Sequence, residues 1–145
     1  MEIRRARAAD AASVAEVFIA SFETLDFLPR LHTHAEHRAF VRDVVLPRLE
    51  TWVAEEDGCV VGFVALSTAR VEHLYVDPPA HRRGVGTALL DVAKARRPRG
   101  FSLWVFQQNT PARRFYETRG LRLVELTDGA GNAERTPDAR YEWTG

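Results

Sequence analysis

The segment from Leu74 to Leu90 constrains the fold more than any other stretch of the chain. An apolar run ends at Val76, and Pro78-Pro79, with no amide hydrogens to give a sheet, forbids its continuation. Arg82-Arg83-Gly84-Val85-Gly86 follows, and then Thr87-Ala88-Leu89-Leu90, a run rich in good helix formers. The order is therefore strand, turn, helix. Glycines at 84 and 86 let the backbone amides at the helix start approach a ligand closely. Those amides lack intrahelical acceptors and lie at the positive end of the helix dipole, a combination that suits a phosphate. Arg82 and Arg83 add positive charge at the same place. Two common phosphate loops fail on spacing. A P-loop needs Lys followed by Ser or Thr after its last glycine, and here Thr87-Ala88 follows Gly86. A dinucleotide fingerprint needs a third Gly or Ala where Leu89 stands, with its first glycine directly after the strand. The anion cradle is of another kind.

Strands and helices alternate around this segment. Glu2 to Arg7 reads as a short strand, and Ala8-Ala9-Asp10 as the start of a helix with Asp10 as N-cap. Val14, Val17, Phe18, Ser21 and Phe22 share one face of that helix. A second helix is expected from about His34 to Leu46, with Phe40, Val41, Val44 and Val45 inward and Pro47 marking its end. Thr51 to Glu55 and Cys59 to Ser67 flank a Glu56-Asp57-Gly58 hairpin turn, and Gly62 implies a bulge or a close backbone approach. Arg70 to Val76 leads into the glycine turn, and the following helix runs until Pro98 and Gly100 break it. Phe101 to Phe106 is a buried strand. Thr110-Pro111 opens a further helix that Gly120 closes, and Leu121 to Leu126 and Arg140 to Trp143 are the last strands. Antiparallel pairing first and crossovers afterwards imply an α/β chain with a mixed sheet, one domain spanning residues 1–145.

Composition narrows the partners. With 20 basic and 20 acidic residues the chain has no net field to attract nucleic acid. Its arginines crowd between 82 and 119, which fits a local anion site better than a polyanion partner. The one cysteine, Cys59, excludes a disulfide framework and is expected to be a small buried or half-buried side chain. The start Met-Glu-Ile-Arg-Arg has no apolar leader, and no run approaches the ~18 apolar residues of a membrane span, so a cytoplasmic location without membrane contact is expected. His32, His34 and His37 lack Cys or carboxylate partners at ligand spacing, so no metal is expected.

A second motif lies at Asn109-Thr110-Pro111-Ala112-Arg113-Arg114-Phe115-Tyr116-Glu117-Thr118-Arg119-Gly120-Leu121. Helical spacing puts Ala112, Phe115 and Tyr116 on one face, where plain core packing accounts for the first two. Together, His81-Arg82-Arg83-Gly84-Val85-Gly86 and this later stretch resemble motifs A and B of the GNAT superfamily of N-acetyltransferases. They stand in the right order with one strand between them. His81 replaces the usual Gln or Arg of motif A, and Leu121 the final Phe of motif B. The resemblance implies a GNAT-like, mostly antiparallel sheet of about six or seven strands flanked by about four helices. It also implies transfer of an acetyl group from acetyl-CoA to an amine.

What the resemblance implies for single residues follows. Leu74, Tyr75 and Val76 would align the pantetheine arm, with the Val76 N–H polarising the thioester carbonyl. Arg82, Arg83, Gly84, Val85, Gly86 and Thr87 would hold the pyrophosphate through backbone amides. Asn109, Ala112 and Phe115 would line the cofactor arm, Arg113 or Arg114 would reach the outer phosphate, and Tyr116 would serve as general acid at the sulfur. Glu72 and His73 are the candidate bases, and strand alternation sends them to opposite faces. Phe27, Leu28 and His32 would form the acceptor wall, with Glu134 or Asp138 placed to meet an amine.

Direct transfer suits these residue types. Negative charge grows on the carbonyl oxygen, where a fixed backbone donor acts best. A leaving thiolate of pKa near 8.5 needs only a mild acid such as a phenol. The acceptor, a small-molecule or peptide amine, must lose a proton; for a lysine-like amine of pKa about 10.4 this costs roughly 3.4 units, or ~4.6 kcal/mol, at pH 7. A non-catalytic acyl-CoA-binding module of the same fold, and an interaction domain whose glycine turn is only structural, are the competing readings; a homodimer stays open.

Overall fold

A computed structural model describes residues 1–145. Its seven strands form two antiparallel sheets. The first holds β1 (Glu2–Arg5), β2 (Glu50–Glu56), β3 (Cys59–Leu66) and β4 (Val71–Val76) in that spatial order. The second holds β5 (Phe101–Phe106), β6 (Arg122–Leu126) and β7 (Asp138–Trp143), with β7 in the middle. Four main helices complete the expected α/β plan: α1 (Ala11–Glu23), α2 (His34–Phe40), α4 (Val85–Arg96) and α5 (Thr110–Glu117), with one extra turn, α3 (Leu46–Arg48), after α2. The strand count is as expected, but the strands split into two sheets rather than one. Their junction is a single parallel bridge, Arg70 to Ser102, beside which the Ser102 N–H donates to the Ala69 carbonyl (3.0 Å). Beyond it β4 and β5 diverge and share no ladder.

The β1–β4 sheet is covered on both faces. Val53, Phe63 and Ala65 pack with α1 and the α2 region, whereas Ala54, Val64 and Leu66 pack towards α4. Period-two alternation along each strand assigns these faces. At the hairpin, Asp57 and Gly58 both take positive φ (52° and 78°), as a two-residue turn matching strand twist requires. Gly62 serves both purposes expected of it. The ladder slips between Ala54 and Glu55, opposite Gly62, and a Cβ at 62 would stand 3.0 Å from Leu89 and Val85 side chains. The glycine lets α4 lie flat on the sheet.

Three details depart from expectation, at Asp10, at the end of the second helix and at Cys59, while that helix starts at His34 as expected. Asp10 does not cap α1 with its side chain; it accepts from the Arg7 N–H (2.7 Å) and from both terminal nitrogens of Arg4 (2.9 Å each), closing the short 3-10 turn before the helix. The second helix passes beyond Leu46 to Arg48 through a π-turn, Val41–Val45. Pro47 has no N–H and its ring would crowd the carbonyl four residues back, and a wider preceding turn relieves both. The N-cap of α2 is Thr33, reciprocally bonded with Glu36. Cys59 is exposed, because it begins β3 directly at the hairpin tip, outside both cores.

Candidate active site

The gap between β4 and β5 is built from backbone. The Asp77 N–H donates to the Val61 carbonyl (2.8 Å), so alternation turns the N–H groups of Tyr75 and His73 towards β3 and those of Leu74 and Val76 to the open edge. The strand end is pinned: the Ser21 hydroxyl donates to the Val76 carbonyl (2.9 Å), and His81 Nε2 lies 2.9 Å from the same oxygen. The chain then turns through Pro78–Ala80, with Arg82 at φ 65° and Gly84 at φ 82°, into α4. Along this turn the N–H groups of Arg82, Arg83, Gly84, Val85, Gly86 and Thr87 find no acceptor in loops, caps or side chains, and the last three begin a helix and have none within it. Left-handed geometry at 82 and 84 curls these donors into one concavity, which suits an anion. A diphosphate fits this donor set. Arg83 is turned aside by Glu56 (2.8 Å), while Arg82 is exposed and unpaired.

The second motif supports the first. Asn109 caps α5, its Oδ1 accepting from the Ala112 N–H (3.3 Å), so its amide NH₂ keeps its donors. The Phe115 ring covers Gly86, where a Cβ would stand 3.2 Å from the ring edge. Ala112 is half-buried against the same core. Arg113 is consumed internally, its Nε donating to the Tyr141 hydroxyl (3.0 Å), which itself donates to Glu117 (2.5 Å). Arg114 is exposed and without a side-chain partner, so of the two it is the one free to meet an outer phosphate.

Tyr116 is buried between Phe115 (5.3 Å between centroids) and Tyr141 (6.3 Å), and its hydroxyl has no partner within the protein. Burial, and then the neighbouring Tyr75, raise its pKa well above that of a free phenol. Tyr75 is pushed up to about 12 by burial and by the Glu134 charge. Both phenols keep their protons at neutral pH.

His73 and Glu72 occupy opposite faces. His73 is enclosed by Phe18 (5.8 Å), Phe40 (5.6 Å) and Tyr75 (6.1 Å), and its Nδ1 is buried without a partner. Desolvation, against a small opposing effect of Glu72, holds its pKa at about 4, so the ring is neutral. Glu72 is on the side of Leu74 and Val76, with Arg70 at 3.8 Å. The structure therefore does not bring these two candidates together.

Two cavities flank the β6–β7 connection. One, of about 140 Å³ beneath the α1–α2 connection, is lined by Phe22, Leu28, His32 and Glu134 among others. The other, of about 490 Å³, runs along Trp104, Phe106, Asn132 and Glu134. Leu28 is buried and His32 exposed, whereas Phe27 lies edge-on to Phe106 (6.0 Å), closing the distance between the α1–α2 connection and β5. No group of three or more His, Cys, Asp or Glu side chains is arranged to hold a metal ion.

Known proteins share this fold. The sequence model of the acetyltransferase (GNAT) family matches residues 13–121, both motifs included. The chain belongs to the GNAT family. The enzyme class expected from its motifs, an acetyltransferase, is that of the family. Over 86 residues it is 41% identical to the peptidyl-lysine N-acetyltransferase YiaC of Escherichia coli K12, a match covering 59% of this chain and only 58% of YiaC. It is 32% identical over 126 residues to the peptidyl-lysine N-acetyltransferase YjaB of Salmonella typhimurium, covering 86% of this chain and 85% of that one. The solution structure of apo-form YjaB from Escherichia coli aligns with TM-score 0.80 at 27% identity, over 99% of this chain and 97% of YjaB. The fold alone is shared with the PaiA N-acetyltransferase of Thermoplasma acidophilum, solved in complex with coenzyme A (TM-score 0.77, 19% identity, 99% and 98% coverage).

Within this GNAT site, sequence reasoning overlooked Arg119. Its guanidinium lies 4.0 Å from the Phe115 ring centroid and donates to the Thr87 hydroxyl (2.9 Å) and the Phe115 carbonyl (3.1 Å), tying the end of α5 to the first turn of α4. The signal was its spacing, four residues after Phe115 on a helix. Ser21 and His81 were missed as anchors of Val76, because their shared target is a backbone oxygen brought close only by folding.

Proposed function

We propose that this chain transfers the acetyl group of acetyl-CoA directly to a primary amine, in a ternary complex, and that the acceptor is a lysine side chain of a peptide or a small amine of similar form. The reading is carried by the six unpartnered amides from Arg82 to Thr87, continuous with an open β4 edge whose Val76 meets Phe115 over Gly86. The amides hold the diphosphate, and the helix dipole adds to their field. Leu74 and Val76 align the pantetheine arm through their open-edge N–H groups, with Asn109 donating from the other side. The thioester supplies an activated carbonyl and a leaving thiolate. The amine first gives its ammonium proton to water. Its nitrogen then bonds to the carbonyl carbon as the C–S bond breaks, the Val76 N–H stabilises the charge on oxygen, and the second proton lost by the nitrogen restores the Tyr116 phenol. Tyr116 meets the sulfur as hydrogen-bond donor and acid. Burial that raises the phenol's pKa also raises that of a thiolate in the same cleft, which makes the sulfur a better proton acceptor. The peptide acceptor is supported by the names of YiaC and YjaB.

Calorimetry should give one acetyl-CoA per chain, and an assay over a panel of amines and lysine peptides should detect transfer. Tyr116→Phe is expected to bind acetyl-CoA as wild type does and to lose about 10²–10⁴ in turnover. Binding without transfer to any amine would favour the non-catalytic acyl-CoA module. Unchanged turnover in Tyr116→Phe would remove the acid from Tyr116.

A further inference from the structure

Leu74 and Val76 stand opposite Val64 and Gly62, and both turn their backbone away from β3. In a strand the N–H and the C=O of one residue point to the same side, so each could offer the open edge one donor and one acceptor. Leu74 keeps both, because β4 has no second strand beside it and no side chain donates to the Leu74 carbonyl. Val76 does not. Its carbonyl receives the Ser21 hydroxyl from α1 (2.9 Å) and His81 Nε2 from the turn (2.9 Å). A carbonyl oxygen only accepts, so Nε2 carries the ring hydrogen, and the two donors fill both lone pairs of the oxygen. The N–H of the same peptide unit, that of Asp77, is fixed on the Val61 carbonyl (2.8 Å).

The two donors differ in what else they do. Ser21 is buried in α1, whereas His81 is exposed and its ring makes no other hydrogen bond. Val76 is half-buried, so its carbonyl could be solvated without His81, and exchanging water for an exposed imidazole adds little to stability. The consequence falls on the edge instead. Leu74 presents a donor and an acceptor, and two residues further on Val76 presents a donor alone.

We infer that His81 is a positioning residue which, with Ser21, makes Val76 a donor-only site and so sets the register of the acyl thioester along β4. An amide of the pantetheine arm has both an N–H and a C=O and matches Leu74; a thioester carbonyl only accepts and matches Val76. An unfilled Val76 oxygen would compete for an amide N–H of the arm and shift it along the edge. It would also oppose the negative charge that grows on the acyl oxygen beside it, and two donors on it damp that repulsion. His81 touches neither thioester nor amine and acts through the Val76 carbonyl. The inference rests on the acetyl-transfer reading and adds to it what selects Val76 over Leu74 for the acyl group.

The test reads the acyl carbonyl itself, with no acceptor present. Acetyl-CoA carrying ¹³C at the acyl carbonyl is bound to wild type, His81→Ala and His81→Gln. Its C=O stretch is followed by isotope-edited infrared difference spectroscopy, and coenzyme A affinity is measured by calorimetry. Wild type should lower the stretch relative to free acetyl-CoA. His81→Ala should lose much of that fall while its coenzyme A affinity stays within about twofold of wild type. His81→Gln, whose amide nitrogen can take the place of Nε2, should restore it. With an accepted amine, turnover of His81→Ala should drop by about three- to tenfold, the worth of one hydrogen bond, and His81→Gln should recover it. The full fall retained in His81→Ala, or coenzyme A affinity lost in step with it, would overturn the assignment. A wild type that binds acetyl-CoA with an unshifted stretch would instead remove Val76 as the polarising donor, and this inference with it.

Discussion

His73 carries a cost that pH reveals. In the unfolded chain an imidazole titrates near 6.5, whereas enclosure by Phe18, Phe40 and Tyr75 holds this one at about 4. Between these values the unfolded state binds a proton that the folded state refuses, so stability falls as pH falls from about 6.5 to 4, by about 3 kcal/mol in all. Asp10 and Glu50 work in a lower window. Asp10 is held at about 2 by the Arg4 guanidinium, and Glu50 at about 2 because bonds from Trp52, Arg96 and Arg97 outweigh the effect of its burial. Their contribution is present above the ordinary carboxylate range and is lost towards pH 2. Denaturant midpoints across pH should show both phases. His73→Phe is expected to flatten the slope between 6.5 and 4 and leave the acid phase below 4 intact; an unchanged upper slope would contradict this account of His73. The opposite facing of Glu72 and His73 was legible in the sequence, since alternation requires it. The enclosure was not, because Phe18 and Phe40 come from two helices far away in the chain.

Elements were read well where local chemistry sets them. The prolines after Val76, the glycine turn before α4, Asn109-Thr110-Pro111 at α5 and Gly120 at its end each fix a boundary through backbone restriction alone. The π-turn in α2 escaped because it answers to Pro47 downstream rather than to its own residues. The separation of β4 from β5 escaped too, since hydrophobic pattern defines strands and not which of them pair. Helix-on-sheet packing gives a direct test. Gly62→Ala places a methyl 3.0 Å from Leu89 and Val85 and 3.1 Å from the Tyr75 carbonyl. Side chains can shift but the backbone oxygen cannot, so a loss of about 1–3 kcal/mol is expected in chemical denaturation. Because α4 would lift from β3, its first-turn amides would move, and acetyl-CoA affinity should fall with stability. A neutral Gly62→Ala would mean that the helix is not seated as described.

Over the whole molecule, two sheets joined at one bridge make a V whose inner edge is free backbone. The amide concavity crowns one arm, Phe115 and Arg119 brace it from α5, and the α1–α2 and β6–β7 connections wall the two cavities. The sequence disclosed the crown, as glycines and prolines at fixed spacing. It did not disclose the V, which arises from long-range pairing. The amides are also the most direct point of test. In a two-dimensional ¹H–¹⁵N titration with coenzyme A, the largest shifts should fall on the amides of residues 82–87 and, along the arm, on Leu74 and Val76. Shifts centred anywhere else, or none at 82–87 at saturating ligand, would contradict the claim that this turn grips the diphosphate.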